Sequence, residues 1–597
     1  MDYRDLNKNG RLDVYEDPRR PVEERVADLL AQMTLAEKAG LMFHTVAPIN
    51  PDGSLNPPAF GFARTPVTEL VTERLMNHFN AHALPEPHVA VEWHNRLQKL
   101  AEETRLGIPV TVSSDPRHAF SDNPLTSFMA GAFSQWPEPL GLAATGDAAL
   151  VEEFADIARQ EYVAVGIRVA LHPMADLATE PRWARVNGTF GEDAELSARL
   201  TAAYIRGFQG ATLGPASVAC MTKHFPGGGP QKDGEDPHFS YGKEQVYPGD
   251  NFAYHLPPFE AAFAAGTAQI MPYYGQPMGT EYEEVGFAFS KGIITDLLRN
   301  HYGFDGVVCT DWGLITDGIY DGVVWEARAW GVQHLSRTER IRKALDAGVD
   351  QFGGEACPEL VIELVESGRV TEARIDESVR RILRDKFRLG LFDNPYLDPD
   401  AAAATLGKPE FRAAGEAAQR KSIVLLKNGP AAGEALLPLQ GRPKLYIENV
   451  DPAVAAQYGD VVEDLADADL ALLRLKTPFQ PRDGIFLERM FHAGDLDFKE
   501  PELSRILAIL AAKPTVVDIY LDRPAVIPEI ATGCTALLAN FGANDAALLD
   551  VVFGRVTPVG KLPFELPSSM DAVRAQHPDV PHDSADPVFP FGHGLTY

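Results

Sequence analysis

Cysteine is scarce in this chain. There are four in 597 residues, Cys220, Cys309, Cys357 and Cys534, too far apart for any metal-ligand spacing. Cys220 and Cys309 sit inside apolar runs, the setting of buried free thiols and not of disulfides. Basic charge is also short: 54 Lys and Arg stand against 84 Asp and Glu, a net charge of −30. That balance argues against nucleic acid or an anionic membrane as partner. No stretch approaches 18 uninterrupted apolar residues, so nothing reads as a membrane span. Residues 1–7 are polar where a leader peptide carries its apolar segment, which leads to the expectation of a cytoplasmic chain or one trimmed of its leader. What is present is ordinary globular composition, 45% hydrophobic and 23% charged. A chain this long divides its core among about two to four domains.

Between residues 22 and 392 helix-like and strand-like segments alternate. Apolar, strand-like runs at 108–112, 167–171, 217–222, 268–272, 306–310 and 347–352 are separated by helical stretches such as 196–208, 257–265, 293–301 and 340–347. Alternation of this kind implies right-handed βαβ units and a parallel sheet, and six or more repeats favour a (β/α)8-like barrel. A Pro-, Asp- and Ala-rich stretch from 393 reads as a linker to about 411. Residues 412–597 alternate again, with strand-like runs at 423–426, 444–447, 470–475, 515–520 and 536–539, enough for a separate α/β layer domain. The predicted fold class is α/β, a barrel followed by an α/β sandwich, with residues 1–21 as an N-terminal extension.

Polar residues collect where the first region's strands end. The runs lead in turn into Asp115, into Asp176 with the segment Glu180-Pro-Arg-Trp-Ala-Arg185, into Lys223-His224, into Tyr273, and into Asp311-Trp312. In parallel α/β architectures the C-terminal strand ends carry the chemistry. Carboxylates beside Lys, Arg and His donors suit a neutral polyol, because each hydroxyl both gives and accepts a hydrogen bond. Trp312 offers a flat apolar face for a sugar ring.

These motifs resemble family 3 glycoside hydrolases. Glu180-Pro-Arg-Trp-Ala-Arg185 with Thr189-Phe-Gly-Glu-Asp193, Lys223-His-Phe225, Tyr273, Thr310-Asp-Trp312, Gly560-Lys-Leu-Pro-Phe564 and Pro590-Phe-Gly-His-Gly594 occur in the family's order across nearly the whole chain. Ala184 stands where the family usually has Gly. The resemblance implies a retaining, exo-acting β-glycosidase, a β-glucosidase first, with its site in the cleft between two domains and no cofactor for catalysis. It implies Asp311 as nucleophile and Asp115, Arg182, Lys223, His224 and Tyr273 as glycone-holding residues, flanked by Trp312. A homo-oligomer stays open.

The acid/base is less marked. In family members of this layout it is a Glu reaching over from the second domain, and Glu488 is the only Glu in the matching segment 474–495, with Asp483 second. The family's β-N-acetylglucosaminidase branch instead uses a His in a Lys-His-Phe-Pro-Gly-x-Gly…Asp-(Ser/Thr)-His motif. Here Lys223 to Gly229 match, but Asp236-Pro-His238 arrives two residues late, with Pro237 replacing the hydroxyl residue. A β-N-acetylglucosaminidase using His238 is the alternative enzyme, and a non-catalytic carbohydrate-binding protein the alternative of another class.

Asp5, Asn7, Asn9, Arg11, Asp13 and Glu16 fall at ligand positions of a twelve-residue calcium loop, with Gly10 at its sixth position. The spacing predicts a structural Ca2+ at the N-terminus, apart from catalysis. Pro18 and Pro21 interrupt any exiting helix, so it is no ordinary EF-hand.

Overall fold

The Val- and Ile-rich runs of the first region do become strands, and with two further short segments they close into an eight-stranded barrel. The computed structural model describes residues 3–56, 65–121, 126–320, 322–429 and 434–597. The first sheet comprises β1 (Phe43–Val46), β2 (His78–Asn80), β3 (Thr111–Ser114), β4 (Ile167–Ala170), β5 (Ala219–Phe225), β6 (Gln269–Pro272), β7 (Val307–Val308) and β8 (Phe352–Gly353). The strands pair in parallel in chain order, and β8 pairs with β1. A parallel bridge between Cys309 and Gln351, with Thr310 N donating to Gln351 O at 2.9 Å, closes the barrel between β7 and β8. Nearly every strand residue is buried, as expected of a parallel sheet covered on both faces.

β1 and β2 lay outside the sequence-based reading. Phe43-His-Thr-Val46 and His78-Phe-Asn80 carry polar residues inside short runs, so neither has a continuous apolar signature. The stretch 393–411 is more than a linker: Asp398 caps a helix at Pro399–Thr405, and Pro409–Ser422 forms the helix that enters the second domain. Ala-rich sequence after an Asp and a Pro starts helices readily.

The second domain is a six-stranded sheet. Its strands are β9 (Val424–Asn428), β10 (Lys444–Glu448), β11 (Asp460–Val461), β12 (Leu470–Lys476), β13 (Thr515–Tyr520) and β14 (Ala536–Asn540), ordered β9-β14-β13-β12-β10-β11. Only β9 runs antiparallel. Among the described residues no helix is long and apolar enough to cross a membrane.

A loop after β12 leans over the barrel mouth. Buried Arg523 pins it there, donating to Pro478 O (2.8 Å), to Gly494 O (3.1 Å) and, across the domain boundary, to Arg182 O (3.2 Å). Arg482 pairs with Glu235 of the barrel. The apolar seal beneath consists of Leu487 and Phe491 packed with Ala184, Phe239 and Trp325 of the barrel. The mouth is thus walled by both domains.

Candidate active site

Where the barrel strands end, a pocket of about 530 Å³ opens, lined among others by Asn80, Asp115, Arg185, Lys223, His224, His238, Tyr274, Asp311, Trp312, Trp325 and Leu487. Its floor belongs to β2 through β7, and Leu487 is the second domain's contribution.

Asp311 lies three residues past the end of β7. Its Oδ1 accepts the Trp312 amide at 2.7 Å, while Oδ2 accepts no hydrogen bond among the described residues and lies 3.8 Å from His224 Nε2. A buried carboxylate oxygen with nothing to bind is costly unless a ligand or reaction uses it. Trp312 is held in place by a missing side chain: a Cβ on Gly353 of β8 would lie 2.6 Å from the indole ring.

Opposite Asp311, Lys223 Nζ donates to Asp115 Oδ1 at 3.0 Å and Asn80 Nδ2 to Asp115 Oδ2 at 3.3 Å. His224 donates from Nδ1 to Asp176 at 2.8 Å, and Arg185 Nη1 approaches its Nε2 at 3.1 Å. Burial, with Arg185 and Lys223 adding to it, drives the imidazole pKa well below its usual value, so the ring is neutral and Nε2 accepts. Burial also raises Asp176 to about 7, against the pull of Arg185 and the backbone amides of Gly228 and His224. Gly228 must be glycine here, since a Cβ would lie 2.8 Å from Asp176 Oδ1 and 2.9 Å from the Tyr273 ring.

The same chain of bonds continues to His238. Arg185 Nη1 reaches Tyr273 Oη at 3.4 Å, and that hydroxyl donates to Asp236 Oδ2 at 2.9 Å. Trp183 Nε1 donates to the same oxygen at 2.9 Å. Asp236 Oδ1 takes the His238 amide (2.9 Å) and Nδ1 (2.5 Å). Burial alone would raise the Asp236 pKa, but the charges and hydrogen bonds of His238 and Arg185 outweigh it and hold it at about 2. Two more indoles fix the segment, Trp330 Nε1 on Pro237 O (2.8 Å) and Trp325 Nε1 on His238 O (3.0 Å). With Nδ1 spent on Asp236, Nε2 is the imidazole nitrogen left for a ligand in the pocket that His238 lines.

Three expectations need correction against this geometry. Arg182 does not line the pocket: its guanidinium chelates Glu180 at 2.8 and 2.9 Å, and Arg185, three residues on, enters instead. Both arginines belong to one motif, and no local signal says which turns inward. Tyr273 lies behind the pocket on Asp236, while the next residue, Tyr274, lines it and donates to Trp312 O at 2.8 Å. Glu488 stays outside among the rim contacts, because it serves its own helix, Phe486–Met490. Its Oε2 accepts the Ile485 amide at 2.8 Å, and its Oε1 accepts the Tyr241 hydroxyl at 3.0 Å. Asp115, Lys223, His224, Asp311 and Trp312 are brought together as a pocket wall.

The N-terminal loop forms a tight turn apart from this pocket. Asp5 accepts the amides of Asn9 (3.1 Å) and Gly10 (2.9 Å), and Glu16 accepts those of Leu6 (2.7 Å) and Asp13 (3.1 Å). The side-chain amides of Asn7 and Asn9 both converge on Asp13 Oδ2, at 2.5 and 2.6 Å. Arg11 donates its backbone amide to Asn9 Oδ1 at 2.7 Å. Among the described residues no three His, Cys, Asp or Glu groups are arranged around a common metal position.

Comparison with known proteins settles the family. Residues 64–384 match the model of the glycosyl hydrolase family 3 N-terminal domain, and residues 449–597 that of the family's C-terminal domain. The chain belongs to glycoside hydrolase family 3. A protein of Aspergillus flavus described as a probable beta-glucosidase C is 52% identical over 98% of this chain and 92% of its own length. A periplasmic beta-glucosidase/beta-xylosidase of Dickeya chrysanthemi is 42% identical, covering 100% of this chain and 93% of its own. Among solved structures, a β-glucosidase of Erythrobacter marinus superposes with a TM-score of 0.78 at 22% identity, over 98% of this chain and 84% of that one. A β-glucosidase of Listeria innocua, solved with isofagomine, gives 0.76 at 23% identity over 96% and 83%. These two similarities carry the fold. This family 3 hydrolase therefore has the expected barrel and α/β sandwich.

Proposed function

We propose that the protein is a retaining, exo-acting β-glucosidase that releases a non-reducing terminal β-D-glucosyl residue, with Asp311 as nucleophile and His238 as general acid/base. The observation that carries the chemistry is the unpartnered Asp311 Oδ2 in a pocket walled by Asp115, Lys223, His224 and Arg185. The 52% identical relative, described as a probable beta-glucosidase C and matched along nearly its whole length, supports the sugar.

In this reading the glycone hydroxyls bond to Asp115, Lys223, His224 and Arg185. Asp311 Oδ2 attacks the anomeric carbon and forms an acylal ester. The glycosidic C–O bond breaks, and the aglycone oxygen takes the proton from His238 Nε2. The Asp236 carboxylate, which accepts four hydrogen bonds, stabilises the imidazole while it carries both protons. Water then gives a proton to His238 and attacks the anomeric carbon, which frees Asp311 and retains the configuration. His238 is favoured over Glu488 because it lines the pocket and has a dedicated, fully bonded carboxylate behind it.

The test is release of p-nitrophenol from the β-glucoside, β-xyloside and β-N-acetylglucosaminide. Turnover should be highest for the glucoside, with the xyloside second. A preference for the N-acetyl sugar, or silence on all three, sinks the reading.

For the N-terminal loop we propose a structural Ca2+, held by oxygens of Asp5, Asn7, Asn9, Asp13 and Glu16 and the Arg11 carbonyl. The convergence of two side-chain amides on one Asp13 oxygen supports this, since rotating either amide would turn an oxygen towards a shared cation. Differential scanning fluorimetry should show a melting temperature several degrees higher in Ca2+ than in EGTA. The gain should vanish in Asp5→Ala. Equal melting temperatures for the wild type in both buffers would remove the metal.

A further inference from the structure

Alternation along two neighbouring strands stacks polar side chains inside the barrel. From β2 and its continuation they are His78, Asn80 and His82, and from β3 and its continuation Thr111, Ser113 and Asp115. Register pairs His78 with Thr111 and Asn80 with Ser113. The ladder runs on past β2, Ala81 N donating to Ser113 O at 2.9 Å, so the next inward pair is His82 and Asp115. Both line the catalytic pocket.

The members below are spent on one another. His44 Nε2 lies 2.7 Å from Ser113 Oγ, Ser113 Oγ donates to Asn80 Oδ1 at 3.1 Å, and the Asn80 amide ends on Asp115. His82 differs. Arg117 donates to the carbonyls of Ala81 and His82, which fixes the backbone, and the Phe128 ring lies 6.0 Å from the imidazole. Neither imidazole nitrogen has a hydrogen-bond partner among the described residues. Burial lowers the His82 pKa to about 4, against the pull of Asp115, so the neutral ring offers one donor and one acceptor.

The rest of the pocket fixes how a pyranose lies in it. β3 stands four strands from β7 round the closed barrel, so a ring with C1 at Asp311 reaches C4 and C5 across to the ends of β2 and β3. On one side, after β4 and β5, come Arg185, Lys223 and His224, with His224 Nε2 3.8 Å from Asp311. Those groups suit the adjacent O2 and O3 hydroxyls, each of which gives and accepts a hydrogen bond. Tyr274 and Arg328 also line the pocket but are tied to the Trp312 carbonyl. The other side, through β8, β1 and β2, has Trp312 packed edge-on against His44, and then His82. It faces the ring oxygen and C5, where glucose carries a hydroxymethyl group and xylose carries only hydrogen.

Resting on the β-glucosidase reading above, we infer that His82 hydrogen-bonds the C6 hydroxyl and sets the preference for glucosides over xylosides. A buried polar group left unpaired by the smaller sugar is what discriminates against it.

The p-nitrophenyl β-glucoside, 6-deoxyglucoside, 4-deoxyglucoside and xyloside test this, since they share a leaving group and differ only in the glycone. In wild type kcat/KM for the glucoside should exceed that for the 6-deoxyglucoside by roughly tenfold, the scale of one hydrogen bond between neutral groups. In His82→Ala that ratio should fall to about one, as in any cycle that removes both partners of a contact. The glucoside-to-xyloside ratio should fall by the same factor, and the glucoside-to-4-deoxyglucoside ratio should keep its wild-type value. Should the alanine variant not fold, His82→Phe, which keeps a ring against Phe128, carries the same comparison. A wild type that turns over the 6-deoxyglucoside as fast as the glucoside overturns the inference without any variant. So does a His82 variant that keeps every ratio, which would make the imidazole a wall of the pocket and no more. Collapse of the 4-deoxyglucoside ratio instead overturns it too, by placing the imidazole on O4. No turnover of any of these substrates by wild type overturns the glucosidase reading, and this inference with it.

Discussion

Asp311→Ala loses about 10⁴-fold or more in kcat/KM on every β-glucoside, activated or not, because no leaving group compensates for a missing nucleophile. The shape of the protein should change little. Asp311 makes one hydrogen bond, to the Trp312 amide, and its other oxygen bonds to nothing among the described residues. Melting temperature therefore separates a chemical loss from a folding one. Added azide should restore part of the rate on p-nitrophenyl glucoside, since it fits where the carboxylate stood. The product should be the α-glucosyl azide, formed by a single inversion. On the proposed route of two inversions, wild type should release β-glucose first, as followed by proton NMR. Release of α-glucose first would replace the covalent intermediate with a direct attack by water.

His238→Asn should separate substrates by leaving group. Methyl glucoside and cellobiose need a proton on the departing oxygen, so their kcat/KM should fall by about 10²- to 10⁴-fold. A dinitrophenyl glucoside needs none, and its kcat/KM should change by less than about tenfold. Its kcat should still fall, because the same imidazole activates water in the second step. Glu488→Gln should move each of these by less than about threefold, for its oxygens serve Ile485 N and the Tyr241 hydroxyl at the rim. If the two variants exchange behaviours, the proton comes from Glu488. The second-domain loop would then swing inward in the substrate complex, breaking the Tyr241 and Ile485 bonds.

The two experiments bear on different levels of legibility. Asp311 was readable because a buried strand ended in a carboxylate and an indole, a placement with no packing reason. Lys223, His224 and Asp115 stood at other strand ends for the same reason. Arg185 and Tyr274 were missed by the narrowest margins. Arg182 and Arg185 share a motif, and Tyr273 and Tyr274 are adjacent, so only the backbone path decides which member of each pair turns inward.

His238 shows the limit most clearly. Lengthening the loop from Gly229 to Asp236 by two residues argued against a usable imidazole. The folded loop absorbs the extra length, because Trp183, Tyr273 and the nearby pair Trp325 and Trp330 grip Asp236, Pro237 and His238 from three separate places in the chain.

By itself the sequence determined the alternation of strands and helices, the two-domain division, the strand-end carboxylate and the family. All of these are written in local periodicity and short motifs. Tertiary structure alone decided which arginine, tyrosine and acid/base candidate line the pocket, and that apolar side chains from three distant segments pack into one cluster beside it. Those outcomes depend on side-chain direction and on contacts between residues hundreds of positions apart, and neither has a signature in the neighbouring residues.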